Sequence, residues 1–461
     1  MFKKLIGSAS FYKNVMMLAI PIMIQNGISF FVNMLDNIMV GSLSTPEMTA
    51  VTVCNQLLFV FNLCLFGAVS GAGIFGAQFF GKEDYKGLRY TFRFKILFCL
   101  LLTACCIALL LLADDFLIGL YLTGEGSPED IAATITYAKQ YISVMVVGLV
   151  PFAITQSYSS TLRETGRARL PMYAGICAVV INLTFNWLLI FGNLGFPALG
   201  VRGAAIATVM SRFVEMLIIS FVTYKNRFDN KFIIGAFSSF KIPKNLLIDI
   251  FKKGLPLMLN ETAWAGGMAV LTICYSISGY EVVSAQSINT TFFDVFAVAF
   301  IAIGSAIGIV LGQLLGAGKK EEARLSCPKL IFLSFSVTCI ISIVFLLCAP
   351  HIPKLYNVPS EIKNIASHLL MVSACILPID AIAHASYFTL RSGGKVLLTI
   401  LFDSVFVWVL MIPVAFTLVT LTSLDISIIY ACVQSLILVK CILGLWLVKK
   451  GVWLKNIVED K

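Results

Sequence analysis

MMLAIPIMIQNGISFFVNMLDNIMV, residues 16–40, is long enough to cross a bilayer as a helix, which takes about 20 apolar residues. Inside it stand a proline, Pro21, and a carboxylate, Asp36. Placing an ionised side chain in hydrocarbon costs at least ~2.5–3.5 kcal/mol on insertion scales, so such a group usually faces a cavity, a partner or a pathway. The plainer alternative is a wet helix end.

Working outward, the whole chain shares this character. Of 461 residues, 59% are hydrophobic and 13% charged, and the mean hydropathy is +0.93, well above that of a soluble domain. Runs of spanning length are read near 14–40, 49–79, 92–113, 131–158, 170–192, 202–223, 250–278, 283–315, 328–350, 362–389, 396–419 and 424–448. Each is expected to be a helix, because lipid offers no hydrogen-bond partner to an open backbone. The first run is too long for the apolar core of a cleavable signal, and no A-x-A site follows it.

The net charge of +10 invites a nucleic-acid reading, which its placement removes. Basic residues gather in alternate connections: Lys3, Lys4 and Lys13; Lys82 to Lys95; Arg163 to Arg169; Lys225 to Lys253; Lys319 to Lys329; Arg391 and Lys395; Lys449 to Lys461. The opposite connections hold Lys139, Arg202, Lys354 and Lys363 among acids such as Asp114, Asp115, Glu125, Glu129 and Asp130. This asymmetry predicts cytoplasmic N- and C-termini in a plasma or inner membrane. No nucleic-acid partner is needed. The thirteen cysteines mostly lie inside runs, without a C-x-x-C pair, and read as small apolar packers.

The chain is written twice. Adding 235 carries Pro21 to Pro256, Ala50 to Ala285, Gly73 to Gly308, Gln78 to Gln313 and Gly81 to Gly316. The offset then drifts: TLRETG (161–166) matches TLRSGG (389–394), and NLTFNW (182–187) matches DSVFVW (403–408). Two sets of six spans share one orientation, as in parallel repeats with a binding cavity between two bundles. The expected fold is all-α, with twelve transmembrane helices in two six-helix pseudo-symmetric bundles. The expected divisions are an N-lobe at 1–223, a cytoplasmic linker at 224–249 and a C-lobe at 250–461.

Polar residues within the runs are the functional candidates. The first run offers Gln25, Asn26, Asn33, Asp36 and Asn37. Pro21 removes a backbone hydrogen bond and invites a bend. Asn182 and Asn186, one turn apart, share a helix face and suit either a site shared with Asp36 or interhelical glue. Arg212 and Glu215 are expected to neutralise each other. The second half carries Glu261, Asp294, Asp380 and Asp403, against the basic residues Arg212 and Lys440 within the runs. Such acids need partners, protons or cations, and oxygen-rich clusters suit hard cations. His384 follows Asp380 by four residues, placed either to tune that acid or to sit as a core histidine.

At this point the residues are similar to the multidrug and toxic compound extrusion (MATE) family of the MOP superfamily. The resemblance covers the whole chain. It rests on the two six-span repeats, the paired Gln-x-x-Gly exits at Gln78–Gly81 and Gln313–Gly316, the long basic middle connection, and NLTFNWLLIFGNLGFPALGVRGAAIATVMSR (182–212). It implies an N-lobe cation or proton site at Asp36, Asn182 and Asn186, with Pro21 as a conformational kink. It also implies a C-lobe site of the NorM type at Glu261 and Asp380, with Pro256 as the counterpart kink. Two departures stand out: many relatives place Asp where Asn186 stands, and Ile376 replaces a tyrosine beside Asp380. Na+ is the candidate metal at Glu261, Asp380 or Asp36. Apart from the resemblance, Gln25, Asn33, Asp294, His384 and Asp403 are read as candidates for a further polar cavity.

The function so implied is antiport: export of bulky cationic or amphiphilic organic compounds in exchange for Na+ or H+, by alternating access of the two lobes. A single chain in the bilayer, with no cofactor and no catalytic residues, is expected to act as a monomer. A lipid-linked saccharide flippase of the same superfamily is the alternative, but it calls for a basic cavity, whereas the intramembrane charges are mainly acidic. A major-facilitator carrier would carry a G-x-x-x-D-R-x-G-R-R-like loop after its second span, which is absent. An intramembrane enzyme would need a nucleophile–base pair or a motif such as H-E-x-x-H, which three scattered histidines do not supply.

Overall fold

Backbone that leaves water must bond to itself, and among the described residues the regular structure is helical, without a strand. The computed structural model describes residues 6–122 and 128–459, with the side chains of Asn33, Met34, Asn37 and Ile38 set aside. The candidate Asn33 therefore lies outside the described side chains. Twelve helices among these residues are long and apolar enough to cross a membrane. The first six are α1 (Ala9–Gly41), α2 (Thr45–Gly81), α3 (Tyr85–Leu112), α4 (Pro128–Glu164), α5 (Arg169–Phe191) and α6 (Gly200–Lys225). The second six are α7 (Lys244–Ser276), α8 (Tyr280–Gly316), α9 (Lys320–Cys348), α10 (Ser360–Ser392), α11 (Val396–Leu421) and α12 (Ile426–Lys449).

Several helices outrun their apolar cores. The helix α3 starts at Tyr85 because Asp84 caps it, its carboxylate accepting from the backbone N–H of Lys86 at 3.0 Å and of Gly87 at 2.9 Å. The helix α9 starts at Lys320 with Glu321 and Glu322 in its first turn, where the helix dipole favours negative charge. Asp425 caps α12 by accepting from Ser427 N–H at 2.8 Å, which holds its carboxyl below the ordinary range. Helix α11 is irregular, with π-helical turns at Leu401–Val405 and Val407–Met411, and α12 breaks at Leu436.

The chain forms two compact units, one of residues 24–76 and 84–258 and the other of residues 1–23, 77–83 and 259–461. In the first, α4 packs along α3 and α6, and α5 along α6. Its core joins Leu58, Phe61, Tyr141, Met145, Leu149, Ile190 and Val209. The middle connection is docked on this unit: Arg93 donates to the carbonyls of Ala236 and Gly235, both at 2.7 Å, and of Lys241 at 3.1 Å. Phe232 is buried edge-on against Phe92 at 5.2 Å. The segment Lys244–Met258 of α7 also belongs here, with Phe251 edge-on to Phe94 at 5.2 Å.

In the second unit α10 is central, packing on α8, α9 and α12 much as α4 packs on α3 and α6. Its core includes Leu271, Phe300, Phe345, Leu370, Leu377, Met411 and Val433. The two Gln-x-x-Gly exits meet within this unit. A side chain on Gly81 would strike the backbone of Gln313, and one on Gly316 that of Gln78, so both glycines are required by close backbone approach. The tail then straps this junction. Gln78 Nε2 donates to the carbonyls of Ser392 at 2.9 Å and Lys455 at 3.2 Å, Ile457 N–H donates to Gln78 Oε1 at 2.8 Å, and Lys82 Nζ donates to the Val458 carbonyl at 2.7 Å.

Candidate functional site: two polar clusters within the spans

In the first unit the helical period sets the geometry. Asn182 and Asn186, four residues apart on α5, lie on one face and are 3% and 1% exposed. Asn186 Nδ2 donates to Asp36 Oδ1 at 2.5 Å and to Asn182 Oδ1 at 3.2 Å, while Asn182 Nδ2 reaches Thr208 Oγ1 on α6 at 3.3 Å. The structure thus brings together Asp36, Asn182 and Asn186. Asn186 Oδ1 is buried and has no hydrogen-bond partner among the described residues. A carboxylate and an unpaired amide oxygen at one spot form an oxygen-rich setting suited to a proton or a hard cation.

Gln25 lies in a different cluster, its Oε1 accepting from Arg163 Nη2. The expected Arg212–Glu215 ion pair does not close. Among the described residues no N···O distance within 4.0 Å joins them; the Arg212 guanidinium lies 4.8 Å from the Phe152 ring and donates to the Gly148 carbonyl at 3.4 Å. Lys95 and Glu164 form a buried ion pair that sequence reasoning missed. Lys95 Nζ sits 2.6 and 2.7 Å from the two carboxylate oxygens and 3.1 Å from both Ser160 Oγ and Thr161 Oγ1. Gly73 and Gly76 leave the room that Glu164 fills. Lys95 had counted as a connection residue; its place eleven positions into a capped α3 is what buries it.

The second unit distributes its acids among fixed cations. Glu261 Oε1 lies 4.0 Å from Arg391 Nη1 and accepts from Tyr387 OH at 3.4 Å. Asp403, on the first π-helical turn of α11, pairs through Oδ1 with Lys440 Nζ of α12 at 2.9 Å and accepts from Asn260 Nδ2 at 3.2 Å. Asp380 is buried, and among the described residues no hydrogen bond or ion pair joins it to Glu261. His384 packs edge-on to Phe300 at 4.8 Å, one turn after Asp380. Asp294 is half-buried on α8 and enters none of these pairs. Arg391 and Lys440 supply partners that counting basic residues had made too few. Lys440 was visible as a charge inside an apolar run, whereas Arg391 looked like a connection residue.

Fold and sites together define a polytopic α-helical membrane protein built from two repeats, with buried acids in both. Residues 21–188 and 256–417 match the MatE family, and the chain belongs to that family. It is 27% identical over 418 residues to the "Probable multidrug resistance protein NorM" of Thermotoga maritima, covering 88% of this chain and 85% of that one. Among solved structures it superposes at TM-score 0.84, with 21% identity and coverage of 96% and 97%, on an "outward-facing conformation of a multidrug resistance MATE family transporter of the MOP superfamily". It superposes at TM-score 0.85, with 21% identity and 96% coverage of each chain, on a "MATE in the straight conformation". These likenesses carry the fold.

Proposed function

We propose that this chain is a secondary active antiporter that exports bulky cationic or amphiphilic organic compounds in exchange for Na+ or H+. Family membership supports transport, and the relatives' multidrug-resistance names support efflux. The observation that carries the coupling site is the Asp36–Asn186–Asn182 cluster inside α1 and α5. Loading Asp36 with a proton or Na+ removes its negative charge from the spans, and unloading restores it. A ligand shifts a conformational equilibrium only by its different affinity for the two states, and this change of charge supplies such a difference. Glu261 and Asp380 are the proposed C-lobe coupling residues, and Asp294 is an acid available to a cationic substrate.

The working division is a lobe at 1–223, a linker at 224–249 and a lobe at 250–461, alternating access between the two sides of the membrane. The protein works as a monomer in the plasma or inner membrane, with both termini cytoplasmic. The acidic balance within the spans argues against a pyrophosphate-binding flippase. Efflux of a fluorescent cationic dye from vesicles, driven separately by Na+ and pH gradients, tests the reading. At least one gradient is expected to drive efflux, and Glu261→Gln or Asp380→Asn to reduce it. No driven efflux under either gradient would overturn antiport, and unchanged efflux in both variants would remove the C-lobe site.

A further inference from the structure

In the second unit a cation is already present. Lys440 lies fourteen residues after Ile426 and nine before Lys449, so its Cα is roughly 13 Å from the nearer end of α12. A lysine this deep ordinarily extends its stem toward the interface. Here the side chain is 9% exposed and turns inward, with Nζ 2.9 Å from Asp403 Oδ1. The rings of Phe402 and Phe406 lie 5.4 and 6.0 Å from the ammonium.

The surroundings hold this arrangement from every side. The π-helical turn Leu401–Val405 carries Asp403, and its second oxygen accepts from Asn260 Nδ2 at 3.2 Å. Asn260 is fixed in turn by Ser404 Oγ, whose hydroxyl lies 2.7 Å from its carbonyl oxygen and 2.6 Å from its Oδ1 and donates to one of them. Gly444, one turn beyond Lys440, lets α12 close on Phe402 of α11 and Ser386 of α10. Beside this pair, Arg391 Nη1 lies 4.0 Å from Glu261 Oε1, and Asp380 is buried on the same helix as Arg391. Two of the three carboxylates Glu261, Asp380 and Asp403 thus have a built-in cation within 4.0 Å.

The repeat gives an independent comparison. Asp403 falls on Asn182 when NLTFNW is laid over DSVFVW. Each bonds to the helix that follows its own: Asn182 to Thr208 of α6, and Asp403 to Lys440 of α12. The same position carries a neutral pair in one half and an ion pair in the other.

We infer that Lys440 is a tethered counter-cation that occupies the C-terminal acidic cluster in place of a mobile one, so that this half of the protein takes no Na+. The inference rests on the antiport reading only in saying that Na+ coupling then falls to Asp36, which leaves Glu261 and Asp380 as proton-coupling residues. Like charges repel strongly at contact distance in a poorly solvated site, so an ammonium on Asp403 keeps an inorganic cation away.

The test uses the purified full-length protein carrying Asp36→Asn, which silences the other cluster, in Na+ or choline chloride. With Lys440 intact, neither radioactive Na+ binding nor Na+-dependent thermal stabilisation is expected. Lys440→Met is expected to gain saturable Na+ binding and a rise of about 3–5 °C in unfolding temperature at 300 mM Na+. Lys440→Ala is expected to be restabilised by millimolar ethylammonium, which replaces the missing group. Saturable Na+ binding that persists with Lys440 present and is lost in Glu261→Gln or Asp380→Asn overturns the inference. So does Lys440→Met that gains no Na+ response. If Lys440→Met does not fold in choline, recovery in Na+ supports the inference. Failure in both salts, together with no ethylammonium rescue of Lys440→Ala, overturns it. These readouts need no transport, so their failure is separable from failure of the antiport reading.

Discussion

At the scale of single residues, the buried charges sort by whether a partner is fixed beside them. Lys95 and Glu164 satisfy each other completely, with Ser160 and Thr161 taking up the remaining bonding capacity. Removing one member of such a pair strands the other charge, at a cost of about 3–5 kcal/mol. Lys95→Met is therefore expected to destabilise by that amount, and Lys95→Met/Glu164→Gln to recover most of it. Thermal unfolding of the four proteins in a double-mutant cycle checks this, and additive losses would contradict it. Asp36 is the opposite case, with an amide donor but no fixed cation among its described contacts. The sequence pointed to Asp36, Asn182 and Asn186 because a carboxylate and an i, i+4 amide pair inside apolar runs are costly without a purpose. It could not show which cation meets which acid: Lys440 and Asp403 lie 37 residues apart on separate helices, and side-chain packing alone brings them together.

At the scale of elements, helix positions were readable from apolar run length, and helix ends were less so. The starts of α3 and α9 lie earlier than hydropathy placed them, because capping and first-turn acids extend helices through charged sequence. The π-helical turns that carry Asp403 have no counterpart in the apolar pattern and were not legible. The paired exits were legible as a repeat, and the structure supplies their reason in the contact between α2 and α8. Gly316→Val forces a side chain into the Gln78 backbone. It is expected to lower the unfolding temperature by several degrees and to loosen the tail, exposing Trp453, which is 1% exposed. Tryptophan fluorescence at the blue edge reports this, and an unchanged spectrum and melt would contradict the packing argument.

For the whole molecule, the repeat governs where the chain passes between its compact units. Helix α1 leaves one unit for the other after Met23, and α7 makes the reverse passage after Met258. Pro21 and Pro256 each stand two residues before that point. Each proline removes one helical hydrogen bond, so the softest part of each helix coincides with its passage. Pro21→Ala and Pro256→Ala are expected to leave folding intact and slow dye efflux about tenfold each, as hinge changes do when motion limits turnover. Turnover in vesicles checks this, and wild-type rates in the double variant would leave the two prolines without a part in the motion.

The charge on Asp36 is the centre of the proposed coupling, and Asp36→Asn removes it while keeping the shape of the side chain. The direct measurement is initial dye efflux from vesicles holding equal amounts of wild-type and Asp36→Asn protein, under an imposed Na+ gradient and, separately, a pH gradient. Loss of driven efflux under whichever gradient powers the wild type, with the unfolding temperature unchanged, is the expected result. Efflux by Asp36→Asn at the wild-type rate under that gradient would contradict it.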